Sequence, residues 1–350
     1  SNEPDILELV SLIKAHGIKT AVVSPGSTNI SFAACLLYDK DINVYSAVDE
    51  RSAAYMACGL AEELGEPVII SCTGATASRN YVPALTEAFY RKLPILAITS
   101  SQPFGRVGQH IPQVTDRNKQ MNDIIKKSVQ LSLTNTDEER WSNNVKINDA
   151  LLELKRYGGG PVHINIETSF SKVFNQRILP EARKISRLTL NDRFPDVPMG
   201  KVAIFVGSHS KFTKELTVAV DSFCSKYNAI VICDHTSNYK GNYRVLGGLI
   251  ERQKGYYAKC RETSLIIHIG EVSGAYYTFE SGIVWRVNPD GEIRDTFRRL
   301  STVFQMNELD FFNMYNRRIS STESQNTYFN EWKEEEKRVV KFLPELPFSN

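Results

Sequence analysis

The feature that most constrains this chain is the spacing of its short apolar runs. Through the first hundred residues, apolar runs at 20–23, 43–48, 67–72 and 94–99 alternate with stretches at 5–16, 30–38, 51–64 and 79–91 whose apolar residues recur at helical spacing. Strands joined through helices over short connections predict parallel βαβ units. In the first helix Ile6, Leu9, Val10 and Ile13 line one face, and Gly17 stands where that helix stops. A longer loop carrying Pro103, Gly105, Gly108 and Pro112 follows, and a helix over 143–157 leads through Gly158, Gly159 and Gly160 into a closing strand at 161–166.

At 350 residues the chain has about twice the usual domain length, so two domains are expected. The first covers 1–180. A stretch at 181–199, containing Pro195 and Pro198 and little periodicity, reads as a linker. Apolar runs at 201–206, 229–233, 265–269 and 283–287 then predict a second parallel sheet within 200–325. The fold class expected is therefore α/β, two doubly wound, mainly parallel Rossmann-like domains. The turn Gly207-Ser208-His209-Ser210 has His209 where a dinucleotide fingerprint needs its second glycine, which argues against a nicotinamide or flavin site. Residues 326–350, a charged helix followed by Pro344 and Pro347, read as a connector toward a further domain.

Lys and Arg total 42 against 40 Asp and Glu, a net charge of +2, so no global field draws the chain to nucleic acid or an anionic membrane. No apolar run approaches the ~20 residues of a membrane span. Small molecules and a second subunit are the expected partners. The six cysteines lack the Cys-x-x-Cys spacing of a metal or redox site, and the start Ser1-Asn2-Glu3-Pro4 has no secretory signal; both suit reduced thiols in a cytoplasmic protein.

Parallel α/β sheets bind ligands in loops at the carboxyl ends of their strands. Three such loops stand out: Ser24-Pro25-Gly26-Ser27-Thr28-Asn29, Asp49-Glu50-Arg51-Ser52, and Thr73-Gly74-Ala75-Thr76-Ala77-Ser78-Arg79-Asn80. Small residues in the first and third allow close backbone approach, and the second sets a carboxylate at a helix start. With Gly59-Leu60-Ala61, Pro83-Ala84, Glu87-Ala88 and the strand Gly160-Pro161-Val162-His163-Ile164-Asn165-Ile166, these segments resemble the N-terminal, pyrimidine-binding domain of thiamine diphosphate enzymes. The nearest branch in pattern is the menaquinone-pathway synthase that joins 2-oxoglutarate to isochorismate; acetolactate-synthase-like enzymes are more distant.

The resemblance implies a thiamine diphosphate-dependent enzyme that decarboxylates a 2-oxo acid and passes the remaining carbon unit to an acceptor carbonyl. It implies that Glu50 is the catalytic carboxyl that shares a proton with N1′ of the aminopyrimidine, in an apolar setting supplied by Val48, Ala53, Ala54 and Met56. Residues alone also allow Glu50 to be a helix-start carboxylate paired with Arg51. Pro25, Gly26, Thr73, Gly74 and Asn80 would surround the cofactor, while Ser27, Thr28, Gln102, His110 and Gln113 would face the substrate. The family holds the diphosphate and Mg2+ in a separate domain marked by Gly-Asp-Gly, which this chain lacks. No metal ligand is therefore assigned here, the chain by itself is expected to be inactive, and a homodimer or tetramer is implied. Thr28 and Gln102 stand where the synthase branch carries arginines, which points to a less acidic acceptor unless Arg106 restores one charge. A simple 2-oxo acid decarboxylase and a non-catalytic assembly module of two Rossmann-like domains are the alternatives.

Overall fold

The computed structural model describes residues 1–116, 120–251, 255–274, 280–319 and 326–342. It divides into two units, Ser1–Lys184 and Ile185–Asn350. In the first, β1 (Thr20–Val23), β2 (Asn43–Ser46), β3 (Val68–Cys72), β4 (Ile95–Ser101), β5 (Lys127–Gln130) and β6 (Val162–Glu167) form one sheet. Their order is β2-β1-β3-β4-β6-β5, and every pairing is parallel. Its helices are α1 (Pro4–Ala15), α2 (Ile30–Leu37), α3 (Glu50–Leu64), α4 (Ala75–Arg79), α5 (Val82–Arg91) and α6 (Asp137–Glu153). Because successive strand residues point to opposite faces, Ala21 and Val23 pack in the core under α1, α2 and α6 while Val22 packs under α3 and α5. Burial on both faces explains why the central strands are continuous apolar runs.

Three local departures from the sequence expectation have identifiable causes. The helix expected over 79–91 begins at Val82, after a separate short helix that ends at Arg79, because Pro83 has no N–H to continue a ladder from that helix and instead opens α5. The helix expected at 143 starts at Asp137, where Thr136 and Glu139 form a capping box. β5 fell inside the expected loop; its four half-buried residues at the sheet edge leave no apolar run to read.

The second unit contains β7 (Ser186–Leu188), β8 (Val202–Val206), β9 (Ala229–Ile232), β10 (Arg244–Val245), β11 (Glu262–Ile269), β12 (Glu280–Val287) and β13 (Leu300–Phe304). They are ordered β10-β9-β8-β11-β12-β13-β7, again all parallel. Helices α7 (Lys214–Lys226), α8 (Gly247–Glu251), α9 (Glu308–Asn316) and α10 (Thr327–Val340) accompany them. The architecture is thus α/β with two parallel Rossmann-like sheets.

The stretch expected as a linker, 181–199, is partly sheet: β7 pairs with β13, and Ile185 and Phe194 are buried. A three-residue edge strand interrupted by Arg187 is too short to show a period. The expected connector likewise begins as a docked helix, since Tyr328 and Trp332 of α10 are buried and both donate hydrogen bonds to the Cys260 carbonyl, at 2.7 and 3.0 Å. Pro344 and Pro347 lie outside the described residues. All six cysteines are free, and five of them are buried.

Candidate active site

Asn29 organises the first loop from within. Fully buried, it accepts a hydrogen bond from the Gly26 N–H (2.9 Å) and donates to the Ser24 carbonyl (3.0 Å) and to Ser71 Oγ (3.3 Å). Its amide thereby pins the turn to the end of β3. Thr28 is buried too: its hydroxyl donates to the Ser100 carbonyl at 3.2 Å, so the short contact between Thr28 Oγ1 and Thr73 Oγ1 is donated by Thr73. Thr73 in turn accepts from the Thr28 N–H at 3.3 Å. Expected to face the substrate, Thr28 instead clamps the β1, β3 and β4 loops together, and Ser27 and Pro25 are the exposed members of the turn. A Cβ on Gly26 would collide with the Thr73 side chain, so this glycine is fixed by the clamp.

Glu50 is the first residue of α3. Its neighbour Asp49 is the N-cap, its side chain accepting from Ser52 N at 2.7 Å, a contact that lowers the Asp49 pKa. Glu50 is left half-buried, with Oε2 accepting from Asn80 Nδ2 at 3.1 Å. The second and third loops therefore meet through the residues assigned as catalytic carboxyl and cofactor contact. The apolar setting expected around Glu50 is incomplete, because Ala53 and Ala54 are buried toward the sheet but Val48 is 87% and Met56 43% exposed. Beneath this pair lies Tyr81, buried, its phenol pushed well above its ordinary pKa by burial and by Cys72.

The loop after β4 closes the arrangement. Its start is tied to β6 by the Phe104 N–H donating to Glu167 Oε1 at 2.6 Å, and Arg79 Nη2 reaches the Asp116 carbonyl at 3.1 Å. Gln113, in a left-handed conformation, lies over Gly74: a Cβ there would stand 3.5 Å from the Gln113 carbonyl and 3.6 Å from its Oε1, ordinary contact distances. Gln102 accepts from Arg106 Nη1 at 2.6 Å, which sets the guanidinium beside the Gln102 amide. His110 is exposed at a left-handed turn and makes no hydrogen bond among the described residues. Sequence reading missed Asn29, the clamp made by Thr28, and Glu3. Buried Glu3 accepts from Ser31, Thr168 and Ser169 and so ties α1 to the carboxyl ends of the sheet.

At the matching edge of the second unit, the chain leaves β8 toward β9 and β10 and returns to β11, a switch point where such sheets hold ligands. Here it is bridged by backbone. Ser208 pairs with Glu271, the Glu271 N–H donating to the Ser208 carbonyl at 2.8 Å and the Gly207 N–H to Ile269 at 3.0 Å. A Cβ on Gly207 would collide with the Glu271 carbonyl, so this glycine serves the approach of two loops.

Among the described residues, no group of three or more His, Cys, Asp or Glu could hold a metal ion, and no helix is long and apolar enough to cross a membrane. Residues 8–121 match the family described as thiamine pyrophosphate enzyme, N-terminal TPP binding domain. Along its whole length the chain is 31% identical to a 2-succinyl-5-enolpyruvyl-6-hydroxy-3-cyclohexene-1-carboxylate synthase of Bacteroides fragilis and covers 65% of that protein, just under two thirds of its length. Synthases of the same name are 39% identical in Phocaeicola vulgatus, over 55% of this chain and 35% of theirs, and 40% identical in Bacteroides thetaiotaomicron, over 53% and 34%. The matched segment, residues 8–121, holds the Glu50–Asn80 pair and the loops around it.

Proposed function

We propose that this chain supplies the pyrimidine-binding half of the active site of a thiamine diphosphate-dependent carboligase acting on a 2-oxo acid. The observation that carries the reading is the Glu50–Asn80 contact, set among the converging loops of a unit that matches this family. The residues fit the group. Glu50 keeps one carboxyl oxygen without a partner among the described residues, and the space beside Gly74 admits an atom at ordinary contact distance from Gln113. When bound, thiamine diphosphate supplies the nucleophilic carbon that attacks a 2-oxo acid and the electron sink for loss of carbon dioxide.

Glu50 holds the proton at N1′ of the aminopyrimidine, and Asn80 fixes the carboxyl so that its other oxygen is available for that task. Thr28, Thr73 and Asn29 keep the loops at a fixed spacing, which preserves alignment. Arg106, held by Gln102, offers a guanidinium to a substrate carboxylate. One cation where the menaquinone-pathway branch would carry two favours a small 2-oxo acid donor with a hydroxylated, less acidic acceptor. Ligands for the diphosphate and Mg2+ come from a separate domain of the complete enzyme, which works in the cytoplasm as a homodimer or tetramer. Assembly is supported by the exposed Val48, Tyr55, Met56 and Tyr90 around α3 and α5, and by Gly59, mid-helix with no neighbour within 4 Å of a Cβ.

The test has two arms. Calorimetric titration of this chain with thiamine diphosphate and Mg2+ should give weak or no binding, because charge-assisted contacts to the diphosphate are made elsewhere; tight stoichiometric binding contradicts the division of the site. In the complete enzyme, Arg106→Gln should raise KM for the 2-oxo acid about tenfold or more with less effect on kcat, as expected for a lost charge-assisted contact. Turnover of 2-oxoglutarate with isochorismate at ordinary enzymic rates would overturn the substrate assignment while leaving the cofactor assignment intact.

A further inference from the structure

His209 occupies the first loop of the second unit, and its ring is held from both sides by groups that only accept. Nδ1 stands 2.6 Å from the Ser210 backbone carbonyl and Nε2 stands 2.8 Å from Glu308 Oε2 at the start of α9. A neutral imidazole has one N–H and can satisfy one of these. Both contacts together require the imidazolium. The ring and its carboxylate are largely shielded, with side-chain exposures of 12% and 14%, so the pair is screened less than a surface ion pair.

The surroundings limit what the ring controls. Backbone up to His209 is held independently: Ser208 pairs with Glu271, the His209 N–H donates to the Thr236 carbonyl at 3.1 Å, and Asn238 Nδ2 donates to the His209 carbonyl at 2.6 Å. Beyond it, Ser210 and Lys211 are exposed, and Phe212 packs on the His209 ring at 4.4 Å before Thr213 caps α7. The ring links Ser210 to Glu308 of α9 by hydrogen bonds, while Phe212 is buried in the core and packs edge-on against Tyr239. The charged groups facing it are Glu308 from α9 and Glu271 from the loop after β11, both of the sign that favours the cation. Segment 234–238 presents it with Thr236 and Asn238, which are neutral.

We propose that His209 is a protonation-dependent latch that ties the loop between β8 and α7 to α9 at the carboxyl edge of the second unit. Protonated, the ring spans both acceptors and holds 210–213 closed. Deprotonated, it releases either Ser210 or Glu308, and the segment carrying Phe212 loosens. Burial alone would push the His209 pKa down, but Glu308, the Ser210 carbonyl and Glu271 outweigh it and hold the pKa above the ordinary value. The latch is therefore fully set below pH ~6.5, and its contribution is lost as pH rises through the folded value.

NMR titration of the His209 ring in the intact chain, with amide hydrogen exchange at 210–213 corrected for intrinsic rates, tests this directly. Expected are a midpoint above 6.5 in the wild type, a midpoint returned to 6.5 or lower in Glu308→Gln, and a fraction open at 210–213 that rises by up to ~10-fold per pH unit between those two midpoints and then levels off. His209→Asn should abolish that pH dependence while the unit stays folded. A wild-type midpoint at or below 6.5, or exchange at 210–213 that is flat across the titration, overturns the proposal.

Discussion

The two units present the same edge of the same kind of sheet, and they finish it differently. In the first, the loops after β1, β3 and β4 are joined by side chains, through Asn29, Thr28 and Thr73, and Asn80 reaches across to the half-buried carboxyl of Glu50 after β2. In the second, the loops after β8 and β11 are joined by backbone, Ser208 to Glu271, across the switch point itself. Fold alone therefore does not locate chemistry; the closure of the loops does. Side-chain clamps can hold loops apart at a set distance and leave room between them. A backbone bridge brings them into contact and leaves none.

The largest effect that separates the two edges should come from pH. Asp5, buried at the start of α1, has no well-formed hydrogen bond to either carboxyl oxygen; burial first, then Glu3 and Glu167, raise its pKa to about 7 against the partial offset of nearby backbone N–H groups. A raised carboxyl pKa means that the folded state keeps a proton the unfolded chain has released. Stability of the first unit should thus fall as pH rises from about 4 through 7, by on the order of 4 kcal/mol, and be flat above. Asp5→Asn should remove most of that slope and leave the second unit's unfolding unchanged. Denaturant titrations between pH 4 and 8 would read it, and an unaltered slope in the variant would place the dependence elsewhere.

Glycines give the next contrast. Gly207→Ala drives a methyl into the Glu271 carbonyl and should destabilise the second unit by about 3 kcal/mol. Gly74→Ala meets Gln113 at 3.5–3.6 Å and should change stability by less than ~1 kcal/mol while weakening cofactor-dependent function. Equal costs at the two positions would erase the difference between an open and a closed edge. Between these effects lies Asn29→Ala, which leaves the Gly26 N–H and the Ser24 carbonyl without their partner and should cost about 2 kcal/mol by the same denaturant measurement.

Much of this was readable from sequence because the core strands are buried on both faces. Apolar runs such as 68–72 and 202–206 signal a parallel sheet without help from alternation. The edge strands β5 and β7 escaped for the opposite reason: they are short, polar and half-buried, and carry neither pattern. Within the site, the loop compositions were legible from residue type and position after a strand, whereas Glu50 was singled out by the family resemblance, since residues alone also allowed a helix-start carboxylate. Thr28 and Asn29 were not legible as clamps, since their partners, Ser71, Thr73 and Ser100, lie 42 to 72 residues away in sequence. His209 read as a missing glycine; its pairing with Glu308, 99 residues on, exists only in the fold.

The central claim is that the first unit's edge is the pyrimidine-binding half of a thiamine diphosphate site with Glu50 as its proton-handling group. Hydrogen–deuterium exchange at C2 of the bound cofactor, measured in the complete enzyme with Glu50→Gln against wild type, tests it most directly. Because the amide keeps the shape and the Asn80 contact but loses the acid–base carboxyl, exchange should slow by about 10²- to 10⁴-fold at retained cofactor binding. Wild-type exchange in the variant would contradict the account and return Glu50 to the role of a helix-start carboxylate beside Asp49.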